Sequence, residues 1–209
     1  MYSTHWLEQK KLQITEWAKE LFKKQFLILD TETSGIHGGV DEIVQIAVIT
    51  SSGDVLLDSL VKPVNPERLM QWGAGGKRPV DVHGLTPQML ANAPSFPAVY
   101  EQLHPLVAGQ DVVVFNAAFD RKMIDGDCRR HRLEKLPVKK YHCAMLKYAQ
   151  YYGKWNPARQ DFRWQSLESA CAQLQIRLDE RAHSALGDCL RTLEVMKHMA
   201  GIRDSTPQV

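Results

Sequence analysis

The sequence FLILDTETS, residues 26–34, ends an apolar run in two acidic residues, Asp30 and Glu32. Because side chains alternate between the two faces of a β-strand, both carboxylates point the same way if the strand continues through Thr31. Two neighbouring carboxylates repel, and one stays protonated unless a cation lies between them. Carboxylate oxygens in this arrangement suit Mg²⁺ or Mn²⁺. The alternative is a solvated loop, since an Asp-x-Glu sequence alone is common.

A third acidic residue, Asp120, comes shortly after a second apolar run, DVVVF at residues 111–115, with Asn116 directly after that run. Ligands of α/β proteins gather at the carboxyl ends of strands. We therefore expect Asp30 and Asp120 at one edge of the sheet. The alternative for Asp120 is an acid in the first turn of a helix, where the helix dipole favours it.

A histidine and a fourth acid open the last apolar segment, in which Asp188 follows His183 by five residues. Five residues of an ideal helix correspond to a rotation of about 140°, so the two side chains converge only if His183 lies in the loop before the helix. The segment is apolar on nearly all sides, which is typical of a buried helix. A buried Asp188 needs a positive partner, and a metal ion would serve. The alternative for His183 is an ordinary exposed histidine.

In order and spacing, these segments resemble the three motifs of the DnaQ-like 3′–5′ exonucleases of the DEDDh type. LDTETSG (29–35) is similar to the first motif, FNAAFD (115–120) to the second and HSALGD (183–188) to the third. VHGLTPQML (82–90) and WQSLESACAQLQI (164–176) resemble two further segments of the same family. The resemblance extends over nearly the whole chain, and the combination is more specific than any single motif.

The resemblance implies a 3′–5′ exonuclease that releases 5′ mononucleotides with the help of two Mg²⁺ or Mn²⁺ ions. Histidine exchanges a proton readily near neutral pH, which suits a general base acting on water. The implied catalytic residues are Asp30, Glu32, Asp120, His183 and Asp188, and the four acids among them are the implied metal ligands. The implied substrate-binding residues are Thr31, Thr33, Gly35, His83, Asn116 and Phe119.

The substrate implied by the family is single-stranded DNA or a 3′ overhang, in DNA repair or proofreading. An RNA-trimming exoribonuclease is the first alternative, because discrimination of the 2′-hydroxyl rests on one or two contacts. A non-catalytic nucleic-acid-binding scaffold of the same fold is disfavoured, because all five catalytic residues are present. The implied partners are nucleic acid and a polymerase or another replication or repair protein, and homodimers occur in the family.

Two further segments have features of nucleic-acid binding. Basic residues outnumber acidic ones over residues 121–140, which predicts either phosphate contacts or a solvated helix face. Aromatic residues follow over residues 141–164. Tyr148 and Tyr152 are predicted to be core residues, and Trp155 is the better candidate for an exposed contact with a base.

The 209-residue chain is 44% hydrophobic with a formal net charge of +2, which suits one globular domain. No segment resembles a signal peptide or a membrane span, so we expect a cytoplasmic protein. The predicted organisation is an amphipathic N-terminal helix over residues 1–24, an exonuclease domain over 25–202 and a flexible tail over 203–209.

Alternating strands and helices predict an α/β domain with a mixed sheet. The family resemblance makes this a ribonuclease H-like fold, with a central mixed five-stranded sheet flanked by helices and an N-terminal helical extension. The predicted strands are 26–29, 42–50, 55–61 and 111–115, the second and third forming a hairpin. The predicted helices are 5–24, 119–132, 141–152, 166–174 and 185–200, with shorter helices after residues 86 and 95. Residues 62–80 form a long loop, and loops of that length are often functional.

Overall fold

The computed structural model describes residues 4–73, 76–176 and 183–202. Its centre is one five-stranded sheet in the spatial order β3-β2-β1-β4-β5. The strands are β1 (Leu27–Thr33), β2 (Ile43–Thr50), β3 (Val55–Leu60), β4 (Asp111–Val114) and β5 (Lys140–Cys143). Strands β1, β2 and β3 pair antiparallel, whereas β1 pairs with β4 and β4 with β5 in parallel. The predicted mixed five-stranded sheet and the predicted hairpin are therefore confirmed.

Helices cover both faces of this sheet. They are α1 (Thr4–Lys24), α2 (Pro79–His83), α3 (Pro87–Leu90), α4 (Phe96–Val107), α5 (Ala117–Arg130), α6 (Ala144–Tyr152), α7 (Leu167–Gln173) and α8 (Ala185–Ala200). A short antiparallel pair, β6 (Trp155–Asn156) and β7 (Asp161–Phe162), lies between α6 and α7. One apolar core joins the sheet to α1, α6, α7 and α8, and a second core joins it to α4 and α5.

Strand β1 shows how the sequence positions the candidate site. Ile28 belongs to the core on the α8 side, whereas Leu27 and Leu29 belong to the core on the α5 side. By the same alternation, Asp30 and Glu32 project from the α8 face. The strand continues as far as Thr33, so the condition for two carboxylates on one face is met.

Helix α1 packs on the domain through an apolar stripe. Ile14, Ala18 and Leu21 are buried, and they belong to the same core as α6 and α8. Near the start of α1, the ring of Trp6 stacks on Phe162 of β7. This packing on its own domain is what the amphipathic pattern favours.

Two predictions about aromatic residues are wrong. Trp155 makes edge contacts with the rings of Trp6 and Phe162, so it is part of a small aromatic cluster rather than an exposed contact. Tyr152 is 44% exposed because it lies in the last turn of α6, before the left-handed Gly153. Tyr148, one turn earlier, is buried as predicted.

The predicted helix over residues 141–152 is wrong in its first part. Residues Lys140–Cys143 form β5, and the helix begins only at Ala144. The open edge of β4 explains the difference, because Lys140 to Cys143 pair one by one with Asp111 to Val114. This pairing overrides the local helical pattern.

Helix α8 occupies residues 185–200, as predicted. Within the described ranges we find no helix of the length and apolar character that crossing a membrane requires. The tail predicted over residues 203–209 lies outside the described residues.

Candidate active site

Three carboxylates converge where β1 meets the start of α8. Asp30, Glu32 and Asp188 each offer an oxygen atom, and these atoms lie within 4.8 Å of one another. The ladder between β1 and β2 shifts register between Glu32 and Thr33, and such bulges often occur beside active sites. A hard divalent cation bound by oxygen ligands fits this set of donors.

The start of α8 is fixed by two polar side chains, which places Asp188 over β1. Ser184 caps the helix, and its hydroxyl accepts a hydrogen bond from Gly187 N at 3.1 Å. Gln45 of β2 accepts one from Ala185 N at 3.2 Å through Oε1. Gln45 is buried and was missed by sequence reasoning. Its signal is a single amide within the apolar strand IVQIAVIT.

Asp120 lies next to this three-carboxylate cluster but is held separately. Its Oδ1 accepts two hydrogen bonds from Thr31, one from the backbone N–H at 3.1 Å and one from the hydroxyl at 2.8 Å. Thr31 points to the α5 face of β1, where Asp120 sits in the first turn of α5. Strands β1 and β4 are parallel neighbours, which explains why the acids that follow them lie at one edge.

Burial raises the pKa of every acid in the site, and repulsion between carboxylates adds to the rise at Asp30, Glu32 and Asp120. Burial raises the pKa of Asp30 well above its ordinary range, and the charges of Asp120, Asp188 and Glu32 add to the effect. Burial and the charges of Asp188 and Asp120 raise the pKa of Glu32 to about 8. Burial also raises the pKa of Asp120 to about 7, although the hydrogen bonds from Thr31 lower it. Carboxylates that repel in this way are stabilised by a bound cation.

One positive side chain already reaches the cluster. Arg191 follows Asp188 by one helical turn and donates a hydrogen bond to its Oδ1 at 3.1 Å. Burial raises the pKa of Asp188, and the charge of Arg191 opposes that rise. Sequence reasoning missed Arg191, because an arginine on an apolar helix has no motif to mark it.

His183 lies in the turn directly before the capping Ser184, as the convergence with Asp188 requires. Its side chain is exposed and its φ is +62°, in the left-handed region. Its backbone N–H and its charge both lower the pKa of Asp188. An imidazole at this position is open to solvent next to the acids, which suits proton exchange with water.

A cavity of about 500 Å³ opens beside the acids and includes Glu32 in its wall. Five of the six predicted substrate-binding residues line it: Thr31, Thr33, Gly35, His83 and Phe119. Asn116 is not among the lining residues and precedes α5 as its exposed N-cap. The structure therefore groups all but Asn116 around one opening.

Hydrogen bonds from the side chains of Thr33 and His83 to the backbone order the wall of this cavity. The Thr33 hydroxyl donates to the Gly35 carbonyl at 2.7 Å. His83 Nδ1 accepts from Leu85 N at 3.1 Å, so Nε2 carries the proton towards the Thr33 carbonyl at 3.3 Å. Gly35 has no room for a side chain, since a Cβ there would lie 2.4 Å from the carboxyl group of Asp41.

Comparison with known proteins decides the family. The model of the exonuclease family matches residues 27–196. The chain belongs to this exonuclease family. The resemblance to DnaQ-like 3′–5′ exonucleases found in the motifs is thereby confirmed, and the matched range runs from β1 into α8.

Among relatives of this exonuclease, a phage 186 protein named uncharacterized exonuclease CP81 is 30% identical over 90% of this chain and 94% of its own length. The DNA polymerase III subunit epsilon of Escherichia coli K12 is 26% identical over 84% of this chain and 71% of its own length. Curated relatives thus include both a phage exonuclease and a subunit of a replicative polymerase.

Solved structures show the same ribonuclease H-like fold. Exonuclease X, in complex with 5′ overhanging duplex DNA, matches with a TM-score of 0.56 and 23% identity over 84% of this chain and 92% of its own. The nuclease domain of 3′hExo, a DEDDh family member bound to rAMP, matches with a TM-score of 0.61 and 17% identity over 85% and 92%. At these identities the likeness establishes the fold. The family implies divalent metal ions, and the three-carboxylate cluster fits them.

Proposed function

We propose that this exonuclease removes 5′ mononucleotides from the 3′ end of single-stranded DNA or of a 3′ overhang, in DNA replication or repair. The observation that carries the proposal is the cluster of Asp30, Glu32 and Asp188 beside an open cavity, with His183 exposed at its side. Acids whose pKa values are raised by burial and repulsion are typical of functional sites.

Asp30, Glu32, Asp188 and the adjacent Asp120 would hold two Mg²⁺ or Mn²⁺ ions. When bound, such ions supply positive charge that stabilises the attacking and leaving oxygens of an in-line displacement. The raised pKa values of the free acids mean that cation binding displaces protons from them. Thr31 keeps Asp120 in place, and Arg191 does the same for Asp188.

His183 would take a proton from the attacking water, so that the oxygen of that water bonds to the terminal phosphorus. The bond between phosphorus and the 3′ oxygen of the preceding nucleotide then breaks, and that oxygen takes a proton from solvent. The products are a 5′ mononucleotide and a strand with a new 3′ hydroxyl. Five of the predicted substrate-binding residues would surround the terminal nucleotide, whereas Asn116 would act through the start of α5.

Polarity and substrate rest on the relatives. The names of the epsilon subunit and of the Exonuclease X complex point to DNA and to replication. The rAMP complex favours the second candidate, an RNA-trimming enzyme. The relation to a polymerase subunit also supports a polymerase or another replication or repair protein as a partner, and a homodimer is the further candidate assembly.

The test uses 3′-extended strands of DNA and RNA labelled at the 5′ end, with Mg²⁺ or with EDTA. We expect a Mg²⁺-dependent ladder of shortened products, lost in Asp188→Asn and kept in Asp54→Asn, an exposed acid of the β2–β3 turn. Release of the 5′ label as a mononucleotide would show digestion from the 5′ end and contradict the proposed 3′–5′ polarity. Tight binding without shortening of either strand would contradict the enzyme and indicate a non-catalytic nucleic-acid-binding scaffold.

Thr31→Val is expected to weaken Mg²⁺ binding at pH 7 by about tenfold, the scale of a hydrogen bond to a charged group. Without the hydroxyl, the pKa of Asp120 rises further above about 7, so fewer molecules carry the ionised carboxylate. The loss should shrink at pH 9, where the carboxylate is ionised in both proteins. Calorimetric titration with Mg²⁺ at both pH values measures it.

The matched control is Thr192→Val, because Thr192 is buried and its hydroxyl has no hydrogen-bond partner among the described residues. This control should keep wild-type Mg²⁺ affinity. Equal Mg²⁺ affinities of Thr31→Val and wild type at pH 7 would contradict the proposed role of Asp120 as a metal ligand.

A further inference from the structure

The long loop between β3 and α2 is fixed at its base by two buried carboxylates. We call residues 62–73 and 76–78, the described parts of this loop, the arm. Glu42 accepts hydrogen bonds from the backbone N–H groups of Val64 and Asn65 at 2.7 and 2.8 Å. Asp41 accepts one from Arg68 Nε at 2.6 Å. The arm is therefore held in a defined position, although no motif assigns it a function.

The middle of the arm also packs on the domain. A 3₁₀ turn at Pro66–Met70 places Leu69, which is fully buried, in a small core with Val44 and Leu90. Only three residues beyond Leu69 the chain exposes a tryptophan. The packing at Leu69 and the two carboxylate anchors limit how far this tryptophan can move relative to the sheet.

That residue, Trp72, is the most exposed large hydrophobic residue among those described, with 73% of its surface open to solvent. It lines the same cavity as Glu32 and Thr31. The guanidinium group of Arg78 lies 5.6 Å from the centre of its ring. Two hydrogen bonds to Asp81, at 2.8 and 2.6 Å, hold this guanidinium in place. An exposed indole is thus presented at the opening that leads to the acids.

The charge around Trp72 suits a nucleic-acid strand. Lys77 lines the same cavity. Arg68 lines it as well, paired with Asp41. Arg78 lies beside the ring, paired with Asp81. Positive groups attract the phosphates of a strand, and an aromatic ring between them stacks on its bases. The indole next to Lys77 thus offers a stacking surface and a phosphate contact together, which suits a nucleic-acid strand better than a purely apolar partner.

We infer that Trp72 is a stacking platform for one unpaired base near the 3′ end of the substrate, and that the arm thereby favours single-stranded ends. The inference rests on the proposed function. A base that stacks on Trp72 no longer stacks on the adjacent bases of its own strand. In a duplex this requires unpairing as well, which costs free energy that a single strand does not spend.

The test pairs the loss of the indole with the loss of a base. An oligothymidylate and three versions with an abasic residue at the last, second or third position from the 3′ end are digested by wild type and by Trp72→Ala. In wild type, one abasic position should raise KM about tenfold, the scale of one base stacked on an aromatic ring. In Trp72→Ala the intact strand should show that increase, and the same abasic position should add no more.

Two variants control this cycle. Trp72→Phe should restore most of the KM, because a phenyl ring also stacks. Trp164→Ala removes another exposed tryptophan, 55% open and outside this cavity, and should respond to each abasic position as wild type does. The preference for a single strand over a blunt duplex should fall about tenfold in Trp72→Ala only. Equal responses of wild type and Trp72→Ala at all three positions would overturn the inference.

Failure of the proposed function gives a different pattern. If wild type shortens no strand in Mg²⁺, the exonuclease proposal fails. The dissociation constants of the four strands, measured in EDTA with wild type and Trp72→Ala, still decide whether the indole binds a base. An abasic position that weakens binding in wild type but not in Trp72→Ala supports the inference. Equal effects in the two proteins contradict the inference.

Discussion

Asparagine at position 30 should abolish nuclease activity and, in metal-free protein near pH 8, should make the fold more stable. The loss of activity follows from the place of Asp30 between Glu32 and Asp188. A metal-held charge at the reacting phosphate contributes several kcal/mol to the transition state, so we expect kcat to fall by at least about a thousandfold. The amide keeps the size of the side chain but not its charge.

The gain in stability follows from the pKa of the same group. Burial and three neighbouring acids raise the pKa of Asp30, so the folded protein binds this proton more tightly than the unfolded chain. The stabilisation from the proton is complete below the unfolded pKa of about 4 and is lost as the pH rises through the raised folded value. Glu32 acts in the same direction up to its pKa of about 8. Metal-free wild type should therefore lose stability between pH 5 and pH 8.

Asparagine carries no titrating proton, so Asp30→Asn avoids this loss and should melt at a higher temperature than wild type in EDTA at pH 8. The difference should be much smaller at pH 5, only about one unit above the unfolded pKa. Saturating Mg²⁺ should raise the Tm of wild type more than that of the variant, because a ligand stabilises the state that binds it. Thermal melts at two pH values, with EDTA and with Mg²⁺, give all of these differences.

Asp54→Asn is the control for activity only, since Asp54 is exposed in the turn after β2 but accepts hydrogen bonds from Thr50 and Ser52. A lower Tm for Asp30→Asn than for wild type in EDTA at pH 8 would contradict the electrostatic account. Retained activity would contradict the assignment of Asp30 as a metal ligand. The two results are independent, because the first needs no substrate.

Glycine in place of His183 should reduce kcat by about 10²- to 10⁴-fold, the range for a lost general base, without destabilising the fold. His183 has a φ of +62°, a region that costs a residue with a Cβ about 1–2 kcal/mol and costs glycine little. Glycine also increases the conformational entropy of the unfolded chain, which lowers the free energy of unfolding by about 0.4–1 kcal/mol. The net change in the free energy of unfolding should lie between zero and a gain of about 1.5 kcal/mol.

The experiment compares His183→Gly with His198→Ala. His198 lies near the end of α8 that is remote from His183, and it is exposed. Initial rates on a 5′-labelled strand and urea unfolding measure both properties. A rate within tenfold of wild type would reject His183 as the base. A large drop in stability would mean that the imidazole has a structural role instead.

Some of the candidate site follows from local periodicity, which a sequence contains. The two-residue period of a strand places Asp30 and Glu32 on one face, and the carboxyl ends of parallel strands bring Asp120 near. Helix α8 was predicted residue for residue over 185–200, because its apolar pattern starts after the cap at Ser184 and ends at Gly201. The shared face of β1 and the bounds of α8 depend on contacts within a few residues along the chain, whereas the nearness of Asp120 also requires β1 to pair with β4.

Other features were decided by partners far away in the sequence. Strand β5 lies in a segment with a helical pattern, and only the open edge of β4, some thirty positions earlier, makes it a strand. Thr31 binds Asp120 across a separation of 89 residues, and Gln45 holds the start of α8 across 140.

The arm shows the same limit, because a sequence rich in proline and glycine reads only as a loop. Its position depends on Glu42 and Asp41, which precede it by more than 20 residues. The sequence by itself therefore determined which residues are the candidates for the chemistry and which local elements hold most of them. The tertiary structure alone decided which hydrogen bonds orient those residues and that Trp72 stands at the opening, because these depend on the energies of long-range contacts.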